Sequence, residues 1–258
     1  MPDLAELSSA PLVAWGSAWL AGLAGLDDAV DAVERRTGPH VIAGDCDAPL
    51  FEAGAPLRTT LARLRTSGLR AMHLSLPVPG DPLGLIGSAE LNSAAIEARE
   101  AVLLTLADHQ IGLVPSEDRR GSSYVGVAWT PYPAADTAPQ PVRLAEAEHR
   151  LNRAITESTA VFGRVDDVAA WGPEVGRALA DLRDPGSAPT DGLAPGYPQR
   201  AHRLAALADR LAVVVRLAGR DDGRGLSATQ MAARGEALRS LDAAVRRARV
   251  AAYNAVHA

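Results

Sequence analysis

Residues 69–106, LRAMHLSLPVPGDPLGLIGSAELNSAAIEAREAVLLTL, decide the fold. From 71 to 78 the residues alternate. Met72, Leu74, Leu76 and Val78 fall on one side, and Ala71, His73, Ser75 and Pro77 on the other. Period two predicts a strand. Pro77, Pro79 and Pro82 stop it, since proline has no N–H for a ladder, and Gly80-Asp81 is turn chemistry. A helix is expected from about Ser88 to Arg99. The apolar run of Val102, Leu103, Leu104 and Leu106 then reads as a strand covered on both faces. Strand, helix, strand predicts a right-handed parallel unit. Ligands in such sheets meet the loops at strand carboxyl ends, so the long loop from Pro77 to Asn92 becomes the first place to look for a site.

Outward from this unit, Ser9 is expected to cap a first helix with Pro11 in its first turn. Asp27 reads as the cap of a second, with Val30 and Val33 inward. His40 to Ala43 reads as a short strand, and residues 56–67 as a helix stopped by Gly68. Two further strands, Ile111–Val114 and Tyr124–Thr130, flank the polar SEDRRGSS and predict an antiparallel hairpin. Residues 131–141 look like a linker. Beyond it strand patterns fade, and helices are expected over 142–162, 166–183, 198–219 and 226–256. Leu204, Leu207, Leu211, Val214 and Ala218 step by three and four in the third. Met231, Leu238, Leu241, Val245 and Ala248 do so in the fourth, with Arg239, Arg246 and Arg247 on the solvent side. The fold class is therefore α+β. An α/β-type region with a mixed sheet of about five strands (1–140) precedes an antiparallel four-helix bundle (141–258).

Composition removes whole classes of chemistry. The chain has no lysine; all 26 basic residues are arginine. A Walker A phosphate loop, a Schiff-base enzyme and a lysine general base are thereby excluded. A single Cys46 excludes an intrachain disulfide and a thiolate metal cluster, and fits a reducing cytoplasm. The net charge of −5 carries no concentrated basic face, so no nucleic-acid partner is expected. Residues 10–26 are apolar but lack a positive leader, which predicts a buried helix rather than a membrane segment.

No assembled catalytic motif stands out. Glu146-x-x-His149 has the spacing used in di-iron bundles, but it occurs once and faces away from Leu144, Leu151 and Ile155. His73 and Ser75 share a strand face, yet roughly 6.5–7 Å separates such positions, too far for a direct nucleophile–base bond. Asp45, Cys46 and Asp47 end a strand near Asp81, where carboxylates could hold a hydrated cation or simply form turns. No cofactor or bound metal is expected. The ligand-binding candidates are Asp45, His73, Asp81, Ser88 and Asn92. Two functions follow: a non-enzymatic binding or scaffold protein that meets a protein partner or its own copy, or a small-molecule transferase or hydrolase using the 77–92 loop.

Overall fold

A computed structural model describes residues 7–44, 50–120, 124–135, 142–165, 172–183, 193–220 and 227–257. The chain divides into two compact units. The first is 1–141 with 193–198 and 253–258; the second is 142–192 with 199–252.

The first unit is built on a mixed five-stranded sheet. In chain order its elements are α1 (Ser9–Leu20), α2 (Leu26–Thr37), β1 (His40–Ile42), α3 (Leu57–Thr66), β2 (Ala71–Ser75), α4 (Ala89–Ala98), β3 (Ala101–Thr105), β4 (Gln110–Arg120) and β5 (Tyr124–Pro133). The sheet order is β1-β5-β4-β3-β2, with β1 parallel to β5 and every other pair antiparallel.

The expected parallel unit is thus corrected: Ser75 pairs with Ala101, so β3 starts where β2 ends. The cause lies in the proline-rich loop. Gly87 bridges to Ala134, and Ala134 N–H donates to the Gln110 carbonyl, at the end of the sheet where β2 begins. The loop itself therefore carries the chain back along the sheet, and α4 returns it. A helix that makes the return leg delivers an antiparallel strand. The loop following β2 consequently loses the status that parallel sheets give to strand carboxyl ends.

Residue parity places the layers. Met72 faces α1, where Gly16 packs against its sulfur. Leu103, Gly112, Val114 and Tyr132 face the other way, and Leu85, Leu91 and Ala95 of the α4 segment close over them. The apolar run 10–26 forms a buried α1 as expected, although its helix ends at Leu20 and leaves Leu23 half exposed. No helix among the described residues is long and apolar enough to cross a membrane.

Two helix caps differ from expectation. Neither Ser8 nor Ser9 caps α1 with its own side chain. Instead the buried Glu100 carboxylate accepts from Ser9 N–H at 2.7 Å and from Ser8 N–H at 3.4 Å. A carboxylate there satisfies orphan amides and complements the helix dipole. Asp27 lies in the first turn of α2, whose N-cap is Gly25. Gly68, at φ +88°, follows α3 as its stop, as anticipated.

Of the second unit, α5 (Leu144–Val165), α6 (Pro173–Arg183), α7 (Gln199–Arg220) and α8 (Ala228–Tyr253) are described. Arg249 pairs with Asp209 at 2.6 Å, and Arg234 donates to the Ala218 carbonyl at 3.4 Å, so α8 runs antiparallel to α7. Ser158 of α5 donates to the Ala237 carbonyl of α8. The buried stripe of α8 is Arg234, Ala237, Leu241, Ala244, Val245 and Ala248. Leu241, Val245 and Ala248 of the expected seam are buried, whereas Met231 is exposed and Leu238 only half-buried, Arg234 and Ala237 being inward there instead. Alanines alternate with larger side chains along this inward face. Arg246 was expected outside; it is buried and paired to Asp242 at 2.9 Å, while Arg239 is exposed.

Two stability outcomes follow. Glu100→Ala leaves the first amides of α1 without a buried acceptor and should cost about 1–3 kcal/mol in urea unfolding, with Glu100→Gln costing less. Leu241→Ala should cost about 2–5 kcal/mol and clearly more than Leu238→Ala; the reverse ranking would put the buried stripe of α8 elsewhere.

Candidate functional site

The loop from Leu76 to Ser88 is held by backbone chemistry. Val78 and Asp81 exchange both backbone hydrogen bonds around Pro79-Gly80, with Gly80 at φ +81°. A second turn, Pro82 to Leu85, places Leu83 and Gly84 at positive φ. The buried Ser75 hydroxyl is directed at the Pro82 and Leu83 carbonyls, at 3.3 and 3.2 Å. It therefore staples the loop to β2 and is not engaged with His73.

Asp81 closes the first turn, and His73 sits in β2 on the face covered by α4. Ser88 is the N-cap of α4, its Oγ accepting from Leu91 N–H at 3.2 Å. The Glu90 carboxylate, held by its own N–H and the Ser88 hydroxyl, is drawn below the usual carboxylate range. Asn92 N–H donates to the Ser88 carbonyl. The first-turn amides of Glu90, Leu91 and Asn92 are thus engaged within the chain. The Asn92 side chain donates to the Gly87 carbonyl at 3.2 Å, while its Oδ1 is buried with no hydrogen-bond partner among the described residues. Ser88 and Asn92 are therefore brought together at the start of α4, with Asp81 out in the loop. Asp45, Cys46 and Asp47 lie outside the described residues.

One buried polar cluster escaped the sequence reading. His40 was expected only as the first residue of a short strand. Trp129 Nε1 donates to His40 Nδ1 at 3.1 Å, which leaves the proton on Nε2 to meet Thr37 Oγ1 at 2.8 Å. Thr37 passes its own hydrogen to the Val33 carbonyl, and His40 N–H is held by Glu34 at 2.9 Å. Burial pushes the imidazole down from 6.5 to about 4. This is a closed chain of donors and acceptors that fixes one neutral tautomer, and it reads as structural. A polar residue opening an otherwise apolar strand was its only trace in the sequence.

One concavity of the described residues lies in the second unit. It is a groove of about 490 Å³ between α5 and α8. Ala154, Ser240, Ala243 and Ala244 line it. Glu146, His149, Arg150, Arg153 and Glu157 project from α5, and Arg247 from α8. Glu146 pairs with Arg150 at 2.6 Å, and Arg153 with Glu157 at 3.5 Å. The single Glu-x-x-His thus lines a groove wall, outward from the buried Ala147, Leu151 and Ala154. No group of three or more His, Cys, Asp or Glu able to hold a metal occurs among the described residues.

Comparison with known proteins matches both parts of the chain to one family. Residues 9–149 match the Rv1486c-like protein N-terminal domain, and residues 145–250 its C-terminal domain. The chain belongs to the Rv1486c-like family. The uncharacterized protein ML1804 of Mycobacterium leprae is 28% identical over 299 residues, and the uncharacterized protein Rv1486c of Mycobacterium tuberculosis 30% over 288, each alignment covering 96% of both chains. No solved structure matches. In this Rv1486c-like protein the 77–92 loop and the His40 cluster belong to the N-terminal domain, and the α5–α8 groove to the C-terminal domain.

The His40 cluster predicts a pH signature. In the fold the imidazole gains its proton only near pH 4, whereas in the unfolded chain it does so near 6.5. Between these values the unfolded chain binds more protons, so stability rises with pH. The contribution is complete above about 6.5, declines as pH falls, and is lost below about 4; it amounts to about 3 kcal/mol. Urea titrations across this window should show the slope, and His40→Gln should flatten it while lowering stability at pH 7. An unchanged slope would assign the proton uptake to another group.

Proposed function

We propose that this Rv1486c-like protein is a non-enzymatic binding or scaffold protein of the cytoplasm, whose C-terminal domain offers the α5–α8 groove to a protein partner. The groove itself carries this reading: small side chains of α5 and α8 beside a row of long charged arms on α5. Helices arranged as an antiparallel four-helix bundle would make a rigid platform for it, and self-association through the same face fits equally. Its charged groups on α5 are exposed and tied to one another along that helix, an arrangement suited to contact rather than proton transfer. The Ser75 hydroxyl is directed at loop carbonyls, and the His40 imidazole donates to Thr37 instead of accepting its proton.

A second reading rests on one observation. The Asn92 Oδ1 is buried beside the stapled loop without a hydrogen-bond partner among the described residues, as a donor-bearing small-molecule ligand would require. In this reading the protein is a transferase or hydrolase, and Asp45, His73, Asp81, Ser88 and Asn92 contact its substrate.

The two readings separate in paired screens on the intact protein. Peptides selected by display on the wild type should lose binding to Ala243→Trp, which fills the groove. A metabolite library should yield no thermal shift that disappears in Asp81→Ala and Asn92→Ala. A metabolite whose shift vanishes in those two variants, with peptide binding indifferent to Ala243→Trp, would replace the binding reading by the enzymatic one.

A further inference from the structure

A sheet ends at its edge strands, where unpaired N–H and C=O groups are a template for another extended chain. Proteins guard such edges with charge, proline, a bulge or a covering segment. Beyond Leu113, where β3 stops pairing with it, β4 carries Pro115 and then the charged run Glu117 to Arg120. The outer side of β1 is taken by the chain itself. Ile42 N–H donates to the Ala55 carbonyl at 3.0 Å, and Gly54 N–H to the Ile42 carbonyl at 2.9 Å.

The edge strand β2 has no such guard of its own. Its residues 71–75, AMHLS, contain no acid, arginine or proline, and they pair one-to-one with β3 without a bulge. Cover comes from far along the chain. Asn254 accepts from Leu74 N–H through Oδ1 at 2.7 Å and donates to the Leu74 carbonyl through Nδ2 at 3.1 Å. Tyr197 holds the preceding residue, its hydroxyl donating to the Tyr253 carbonyl at 2.7 Å, and Ala255 is buried just beyond. All of these residues belong to the same compact unit as the sheet.

The Asn254 contacts fix which way the edge faces. Leu74 turns its amide and carbonyl away from β3, and alternate residues of a strand do so together, so Met72 turns outward as well. His73 directs its own backbone groups at Leu103. Consider a second β2, antiparallel to the first and related to it by a twofold axis through the sheet. Met72 then lies opposite Leu74 of the second copy, each such pair exchanging two hydrogen bonds, and His73 lies opposite its own equivalent. No acid or arginine is brought against another. The contact is self-complementary, as a twofold interface requires. One side-chain amide occupies the place it needs.

We propose that Asn254 guards the β2 edge against a second copy of this chain. With the clasp in place the N-terminal domain keeps a closed edge. Without it, two such domains join β2 to β2 in one continuous antiparallel sheet. This goes beyond the groove reading, since the surface lies in the N-terminal domain and the partner is the chain itself.

The test is light scattering on the whole protein, with wild type as the reference. Asn254→Ala should double the wild-type mass as concentration rises. Asn254→Asp keeps the acceptor for Leu74 N–H and loses the donor to its carbonyl. It should dimerise more weakly, and it takes the place of Asn254→Ala if melting shows that variant unfolded. Two further changes read the interface itself. In a Cys46→Ala background, His73→Cys should form an intermolecular disulfide with Asn254→Ala and none with Asn254 intact. Opposed positions of this kind lie about 4.5 Å apart, within disulfide reach. Adding His73→Lys to Asn254→Ala should restore the wild-type mass, because like charges directly opposite one another destabilise a strand pair. Mere loss of stability would not be reversed in that way. Clasp variants that keep the wild-type mass, including any that take up an added extended peptide instead, would overturn the proposal. So would a dimer that forms no disulfide through position 73 and survives His73→Lys, since its contact lies on another surface.

Discussion

Close packing of side chains against glycine backbone is the constraint on which this N-terminal domain depends. Aromatic residues make up only 4% of the chain, so few large side chains are available to fill a wide interlayer gap. The layers come close instead. Gly16 of α1 leaves no space for a Cβ beside Met72 of β2, and on the opposite face Gly87 and Gly112 leave none beside Leu91. Leu91 is fully buried between these two glycines and the sheet. Interiors are packed to crystal density, so even one added methyl at Gly112 would have to displace either α4 or the strand.

Close layers leave little water to satisfy polar groups, and the domain resolves this with single side chains brought from far along the chain. Glu100 supplies the acceptors for the start of α1, and Trp129 the donor to His40. Asn254 Oδ1 accepts from Leu74 N–H at 2.7 Å, and its Nδ2 donates to the Leu74 carbonyl at 3.1 Å. A side-chain amide thus stands in for one peptide unit of a further strand beside β2, the sheet's edge. Tyr197 acts similarly: its hydroxyl donates to the Tyr253 carbonyl at 2.7 Å, and burial raises the phenol above its usual range.

Legibility in the sequence followed the range of the interaction. Alternation revealed β2, the turn-and-step patterns revealed the helices, and Gly68 and Ser88 marked helix ends, because each signal lies within a few residues of its effect. The direction of β3 was not legible. It depends on whether the loop or the helix carries the chain back, and both possibilities share one strand–loop–helix–strand pattern. The Glu100 cap spans 91 residues and the Asn254 clasp 180, so local periodicity contains nothing of either. The groove escaped for another reason. Glu146 and His149 were correctly read as facing outward, but their neighbours on α8 follow from the pairing of helices rather than from either helix alone. Arg246 shows the same limit: a charged residue reads as solvent-facing until a carboxylate one turn earlier is seen to accompany it inward.

The Asn254 clasp also gives the domain a history. During synthesis at roughly 5–20 residues per second, about 10–40 seconds separate the emergence of Leu74 from that of Asn254. Throughout that interval β2 can pair with β3 on one side, while on the other its Leu74 amide and carbonyl have only water. An open strand edge is a template for any neighbouring extended chain, including a sister copy on the same message. Asn254 arrives as a late stopper. The period in which nascent chains are adhesive is thus set by the distance along the message between two codons, and a ribosome that stalls within the last helix would prolong it.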